Sequence, residues 1–305
     1  MPAHTPRFNI SAVERETGLS KDLLRMWERR YGFPSPARDS GGERLYSNAE
    51  VAKLRAVKRL MDTGMRPGKI VHSPLNELVA LADARTASRR DGLAPALETD
   101  VLDLLRRHDT ASLQQMLVQW VLRQGLQKFV LETVTPLNRA VGDAWMRGEL
   151  QVFEEHLYTE LLQVALRAAI SAFPRNAEGS PRVLLTTFPD ELHGVGLLMV
   201  EALLVPEGAS CVSLGTQTPV DDIHRAALAH RANIVALSFS GSHSLRFAVE
   251  GLDALRAHLP AHVTIWAGGE MSRRIRRTIP GTVLIPDLAS VIPALRSWRA
   301  HRAPG

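Results

Sequence analysis

The chain has 305 residues, 37 Lys and Arg against 32 Asp and Glu, a formal net charge of +5 and 45% hydrophobic residues, an ordinary globular composition with room for two or three domains. No apolar run approaches the ~18 residues of a membrane span, residues 1–7 lack a secretion-signal core, and the single cysteine, Cys211, excludes an intramolecular disulfide framework. A cytoplasmic protein with no membrane partner is the expectation, and Cys211, in an apolar strand-like stretch, is expected to be a buried, inert thiol.

The charge is uneven. Residues 1–72 hold 14 Lys and Arg against 8 Asp and Glu, while the remainder holds 23 against 24. A small basic module on a near-neutral body suggests a nucleic-acid-binding head on a sensor or an enzyme. In the head, residues 10–17 read as a short helix ending near Gly18, and Ser20 is a natural N-cap for a second helix with Leu23, Leu24 and Trp27 on one face. Two short helices around a glycine turn have helix-turn-helix geometry, and the second would enter a major groove. Residues 38–46 read as a hairpin, or wing, with Gly41 and Gly42 at its tip, and Ser47 with Glu50 forms a capping box for a longer helix through Met61.

The string Trp27-Glu28-Arg29-Arg30-Tyr31-Gly32, followed by Gly42-Glu43-Arg44-Leu45-Tyr46, resembles the winged-helix DNA-binding domain of MerR-family transcription regulators. The resemblance implies that Lys21 and Arg25 contact the duplex from the second helix and that Arg38, Arg44 and Tyr46 reach it from the wing, mostly through phosphates, which set position rather than sequence.

Residues 74–95 hold helical fragments interrupted over 83–92, most polar at 88–92, and residues 73–95 read as a linker, or hinge. Residues 96–173 carry helical periodicity throughout and suggest a four-helix bundle. Within it, Trp145 alone reads as core packing, and Glu155 and His156 read as ordinary polar helix residues.

Over residues 180–300, strand-like runs at 183–187, 209–214, 234–239, 263–267 and 282–285 alternate with helical segments at 195–204, 220–230, 244–259 and 271–279. This βα repeat predicts a doubly wound parallel sheet. The fold class expected for the whole chain is therefore multidomain α and α/β: a winged helix-turn-helix, a helical bundle and a Rossmann-like domain. After the first strand of the sheet comes Glu191-x-His193-x-x-Gly196, which places an imidazole where open α/β sheets bind ligands, with a carboxylate able to fix its tautomer.

With Ser238-Phe239-Ser240 and Gly268-Gly269, this loop resembles the cobalamin-binding domain of corrinoid proteins. The resemblance implies that His193 is the lower axial ligand of cobalt and that the nucleotide tail threads past Gly196, Ser238, Ser240, Gly268 and Gly269. Glu191 stands where that family has Asp, and Ser240 where it has Leu. The combination with a bundle and a MerR head resembles the CarH/LitR-type cobalamin-dependent, light-responsive repressors. That likeness implies a homo-oligomer, dimer or tetramer, on a double-stranded DNA operator, and a regulator rather than an enzyme. It implies adenosylcobalamin as cofactor, enclosed by Trp145 and Val152, hydrogen-bonded by Glu155 and closed over by His156. In the light-sensing members a histidine that captures cobalt follows the tryptophan; here that position is Met146, a softer and weaker ligand for Co(III).

Overall fold

Residues 7–62, 65–87, 95–174, 179–241 and 244–301 are described by the computed structural model. The chain divides into two units, Met1–His108 with Pro136–His156, and Asp109–Thr135 with Leu157–Gly305.

The first unit opens with β1 (Arg7–Phe8), α1 (Ile10–Thr17), α2 (Lys21–Tyr31), β2 (Ala37–Arg38), β3 (Arg44–Ser47) and α3 (Asn48–Asp62). The ends of these helices follow from short polar residues and glycines. The Asn9 side chain accepts from the Ala12 N–H, and Ser20 accepts from the Leu23 N–H. Gly18 and Gly32, both at φ 66°, turn the chain out of α1 and α2 in a left-handed conformation. Ser47 and Glu50 form the expected reciprocal box, with the Glu50 carboxylate accepting from the Ser47 N–H at 2.8 Å and the Glu50 N–H donating to Ser47 Oγ at 3.3 Å. The wing pairs Ala37 with Leu45 and Arg38 with Arg44. Two-residue β1 adds antiparallel to β3 on its other side, too short a strand to leave a pattern in the sequence.

α4 (Pro67–Ile70) and α5 (Leu75–Ala87) follow. α5 corrects the expectation of a linker over 73–95. Leu75, Leu78, Val79 and Ala82, at helical spacing, join the head's core beside Trp27 and Leu54. That stripe is only two turns long and runs into the polar stretch after it, so the sequence shows a helical fragment but not its packing on the head.

Four helices cover the middle of the chain: α6 (Pro95–Arg106), α7 (Thr110–Gln124), a run from α8 (Leu126–Lys128) to α9 (Thr135–Met146), and α10 (Val152–Ser171). Between α8 and α9 the helix widens to π geometry over Phe129–Val134. Pro136 has no N–H to offer the Glu132 carbonyl. The Thr135 N–H reaches back five residues to the Val130 carbonyl, which also accepts from Thr135 Oγ1 at 2.8 Å.

The sheet of the second unit is built from β4 (Arg182–Thr186), α11 (Val195–Leu204), β5 (Ser210–Gly215), α12 (Val220–Ala229), β6 (Ile234–Ser238), α13 (Leu245–His258), β7 (Thr264–Gly268), β8 (Thr282–Ile285) and α14 (Val291–Ala300). All five strands are parallel, in the order β5-β4-β6-β7-β8. Strand order reverses between β4 and β6, and ligands of open α/β sheets bind outside the carboxyl ends of the strands at that crevice. The middle strands are buried on both faces, as their unbroken apolar runs Val183–Leu185 and Ile234–Leu237 require. The helix expected over 271–279 is a single 3-10 turn, Met271–Arg274. The Ser272 hydroxyl bonds back to the Gly269 carbonyl at 2.7 Å, competing with the helical pattern. Arg273, Arg274, Arg276 and Arg277 would repel one another on one helix, and Pro280 ends the stretch.

Candidate ligand site and nucleic-acid interface

The loops after β4 and β6 meet at the switch point through one side chain. Glu191 is 1% exposed. Its Oε1 accepts from the His193 backbone N–H at 3.1 Å and lies 2.6 Å from His193 Nδ1. Its Oε2 accepts from the Ser240 N–H at 2.7 Å and from Ser240 Oγ at 2.8 Å. Burial pushes the Glu191 carboxyl up, but the hydrogen bonds from the His193 ring and from the Ser240 backbone and hydroxyl outweigh it and hold the group down at about 2. An ionised carboxylate only accepts, so His193 Nδ1 carries the hydrogen of this contact, and Nε2 is the ring nitrogen on the other side. The His193 side chain is 68% exposed. The arrangement is that of a carboxylate orienting an imidazole toward a ligand position.

Two threonines that the sequence did not single out build the floor of this loop. Thr187 Oγ1 donates to the Glu191 carbonyl at 2.7 Å and accepts from the Gln217 N–H at 2.8 Å. Thr186 Oγ1 lies 2.7 Å from Thr218 Oγ1 and 3.0 Å from the Gly215 carbonyl. They tie the ligand loop to the loop after β5. Their only trace in the sequence is a polar pair ending an apolar strand.

The glycines of the motif sit where backbone approaches neighbouring groups. A Cβ on Gly196 would lie 2.8 Å from Ser238 Oγ, across the crevice between α11 and β6. Gly269 has φ +93°, and a Cβ there would overlap the Phe239 carbonyl. Gly268 pairs with Ser238 in the β6–β7 ladder and would accept a Cβ at ordinary contact, so its lack of a side chain is not demanded by the protein itself. The structure thus brings together Glu191, His193, Gly196, Ser238, Ser240, Gly268 and Gly269 at one end of one sheet. Cys211, on β5, has its thiol pushed up to about 12 by burial.

Trp145, Val152, Glu155 and His156 belong to the first unit. The Trp145 ring faces the Arg55 guanidinium at 5.4 Å, and its indole N–H is buried without an acceptor among the described residues. Glu155 Oε2 lies 2.7 Å from His156 Nδ1 on an exposed ring. The preceding residue, Glu154, is the buried one: it meets His108 Nε2 at 3.1 Å and accepts from the Gln151 N–H at 2.6 Å. It holds the start of α10, a role the sequence reading missed.

In the head, Lys21 and Arg25 lie on the outer side of α2 and Arg38 on the exposed wing. Arg38 donates to the Gly42 carbonyl at 2.9 Å, and Arg44 pairs with Glu28 of α2 at 2.8 Å. Tyr46 departs from expectation. It is 0% exposed, packed in the head's core with its hydroxyl buried and lacking a partner among the described residues. Arg44 and Tyr46, two apart on β3, share one face of the strand; Tyr46 is packed among the helices of the head while Arg44 stays partly open, so Tyr46 supports the wing from the core rather than presenting its hydroxyl outward.

The matching family models are a MerR HTH family regulatory protein over residues 8–73 and a B12 binding domain over 97–170 and again over 181–284. The chain is 32% identical to the HTH-type transcriptional repressor CarH of Myxococcus xanthus over 90% of its length and 91% of that protein's. It is 31% identical to the repressor CarA of the same organism over 85% of each. The chain belongs to the MerR-type, B12-binding transcription regulators. The monomethylamine corrinoid protein of Methanosarcina barkeri shares the fold of 66% of this chain and 96% of its own, with a TM-score of 0.51 at 15% identity.

The residues of this MerR-type regulator fit a corrinoid in two respects. The imidazole is oriented by an ionised carboxylate at the switch point. Beside it, the space a Cβ on Gly196 would take against Ser238 Oγ is left without a side chain. No group of three or more His, Cys, Asp or Glu able to hold a metal occurs among the described residues, and none of the described helices is long and apolar enough to cross a membrane.

Proposed function

We propose that this cytoplasmic regulator holds adenosylcobalamin and that its loaded state sets both its assembly, as dimers or tetramers, and its grip on a double-stranded operator. The observation that carries the reading is the buried, ionised Glu191 orienting the His193 ring at the switch point of the sheet. His193 Nε2 would hold the cobalt. Ser240 holds Glu191 from the far side, and Gly196, Ser238, Ser240, Gly268 and Gly269 would take the nucleotide tail. Trp145 and Val152 would enclose the adenosyl group, Glu155 would accept from it, and His156, paired to Glu155, would close over it. When bound, adenosylcobalamin supplies a light-sensitive cobalt–carbon bond. Lys21 and Arg25 from α2 and Arg38 and Arg44 from the wing contact phosphates.

A light-independent sensor is the second reading, and Met146 favours it, because a thioether holds Co(III) less well than an imidazole. The test is an absorption spectrum of the chain with adenosylcobalamin in the dark and after green light, with sizing chromatography of both samples. A bound spectrum that changes together with size supports light control. A bound spectrum with size fixed after light supports the second reading. No bound corrinoid overturns both.

A further inference from the structure

The end of α9 is fastened to the DNA-reading head through α3. The Arg55 guanidinium of α3 lies 5.4 Å from the centre of the Trp145 ring and also pairs with Glu16 of α1. One turn along α3, Arg59 pairs with Asp143 of α9 at 3.0 Å, both side chains largely buried. α1 in turn holds the first residue of α2. Glu14 Oε1 accepts from the Lys21 N–H at 3.1 Å, and Oε2 pairs with Lys21 Nζ at 3.6 Å. Glu14 and Glu16 ride on the same eight-residue helix, closed by Asn9 at one end and Gly18 at the other.

Exposed ion pairs would count for little here. The Arg55 and Glu16 side chains are 14% and 17% exposed, however, and the Arg55 Nε is buried without an acceptor among the described residues. A guanidinium desolvated to that degree depends on the partners it keeps. Among the described residues Arg55 has two, a carboxylate in the head and the π face of Trp145. A shift of the indole therefore changes how strongly Arg55 holds Glu16, and α1 carries that change to the start of the recognition helix.

We propose that Arg55 is a positioning residue that couples the state of Trp145 to DNA binding through Glu16, α1 and Lys21. Its regulatory use rests on Trp145 being part of the ligand cap; the coupling itself needs no ligand, so the test is run without one. Affinity for a labelled duplex, selected from random sequence by the wild-type chain, is measured for cofactor-free full-length protein. The variants are Trp145→Ala, Arg55→Met, the double variant and Arg55→Lys.

The expected result is that Trp145→Ala alone shifts the affinity about two- to fivefold, the worth of one cation–π contact. In the Arg55→Met background it shifts the affinity no further, and Arg55→Lys, which keeps a cation, restores part of the Trp145 effect. Additive effects of the two substitutions, or no effect of Trp145→Ala on the wild-type background, overturn the proposal. Amide exchange over α2 and α3 checks that the head is folded. If Arg55→Met loses that protection, the cycle is run with Arg55→Gln, which removes the cation and keeps polar atoms at the site; there non-additivity supports the coupling and additivity overturns it. Corrinoid spectra of the same variants bear only on the cap, so the two readings fail separately.

Discussion

Glu191→Gln removes the charge and one full acceptor from the side chain that joins the two ligand loops. The carboxylate accepts from four donors: the His193 N–H, His193 Nδ1–H, the Ser240 N–H and the Ser240 hydroxyl. An amide of the same shape has one oxygen, so its NH2 must face one of those pairs, donor against donor. Each buried donor left without an acceptor costs about 1–3 kcal/mol. Linkage gives a second view of the same energy. The carboxyl lies at about 2 in the folded chain against an ordinary 4.5, a difference worth about 3 kcal/mol. Because the folded value is depressed, this stability is fully present above pH 4.5 and is lost as pH falls toward 2; more than half of the ~3 kcal/mol is gone by pH 3. The assay is scanning calorimetry of wild type and Glu191→Gln. At pH 7 the transition of the sheet unit should fall by roughly 6–12 °C in the variant, and at pH 3 that gap should shrink by more than half. A gap that stays constant with pH, or one under about 2 °C at pH 7, refutes the ionised, fully bonded carboxylate.

Three further outcomes are expected. His193→Ala removes a ring that is itself exposed but takes with it the Nδ1 hydrogen bond to buried Glu191, so it should lower the melting temperature by less than Glu191→Gln does, having removed one of the four hydrogen bonds, while adenosylcobalamin no longer co-elutes with the folded protein; undiminished co-elution would show that the lower ligand lies elsewhere. Gly196→Ala forces a methyl to 2.8 Å from Ser238 Oγ and should cost about 1–2 kcal/mol by urea unfolding. Ser238→Ala in the same chain should restore most of that loss, and a double variant no more stable than Gly196→Ala would place the strain elsewhere. Tyr46→Phe deletes a buried hydroxyl with no partner among the described residues, so stability should hold or rise slightly and duplex affinity should stay within about twofold, whereas Arg44→Ala should weaken binding and flatten its salt dependence. A marked loss of duplex affinity in Tyr46→Phe would return that hydroxyl to the DNA interface.

Much of this protein is written locally in its sequence. Helix ends at Ser20, Ser47 and Gly32, the wing at Gly41 and Gly42, and the alternation of apolar strands with amphipathic helices over 180–300 all depend on neighbours a few residues apart. The motif Glu191-x-His193 belongs to the same class, because its carboxylate and ring meet within two residues. Other features needed the tertiary structure because their partners are distant along the chain. Ser240, 49 residues from Glu191, becomes its second anchor only once β4 and β6 lie side by side. Thr186 and Thr187 acquire their role when β5 brings Gly215, Gln217 and Thr218 beside them. Tyr46 reads as a wing residue and is a core residue, since the direction of a side chain on a four-residue strand is set by the helices packed beneath it. α5 buries Leu78 and Ala82 against the head; the helical spacing of that stripe is local, but the surface it packs on is not. Local chemistry fixed which elements form and which residues carry the motifs; long-range packing decided which of those residues face a ligand, which face the core, and that Arg55 stands between Glu16 and Trp145.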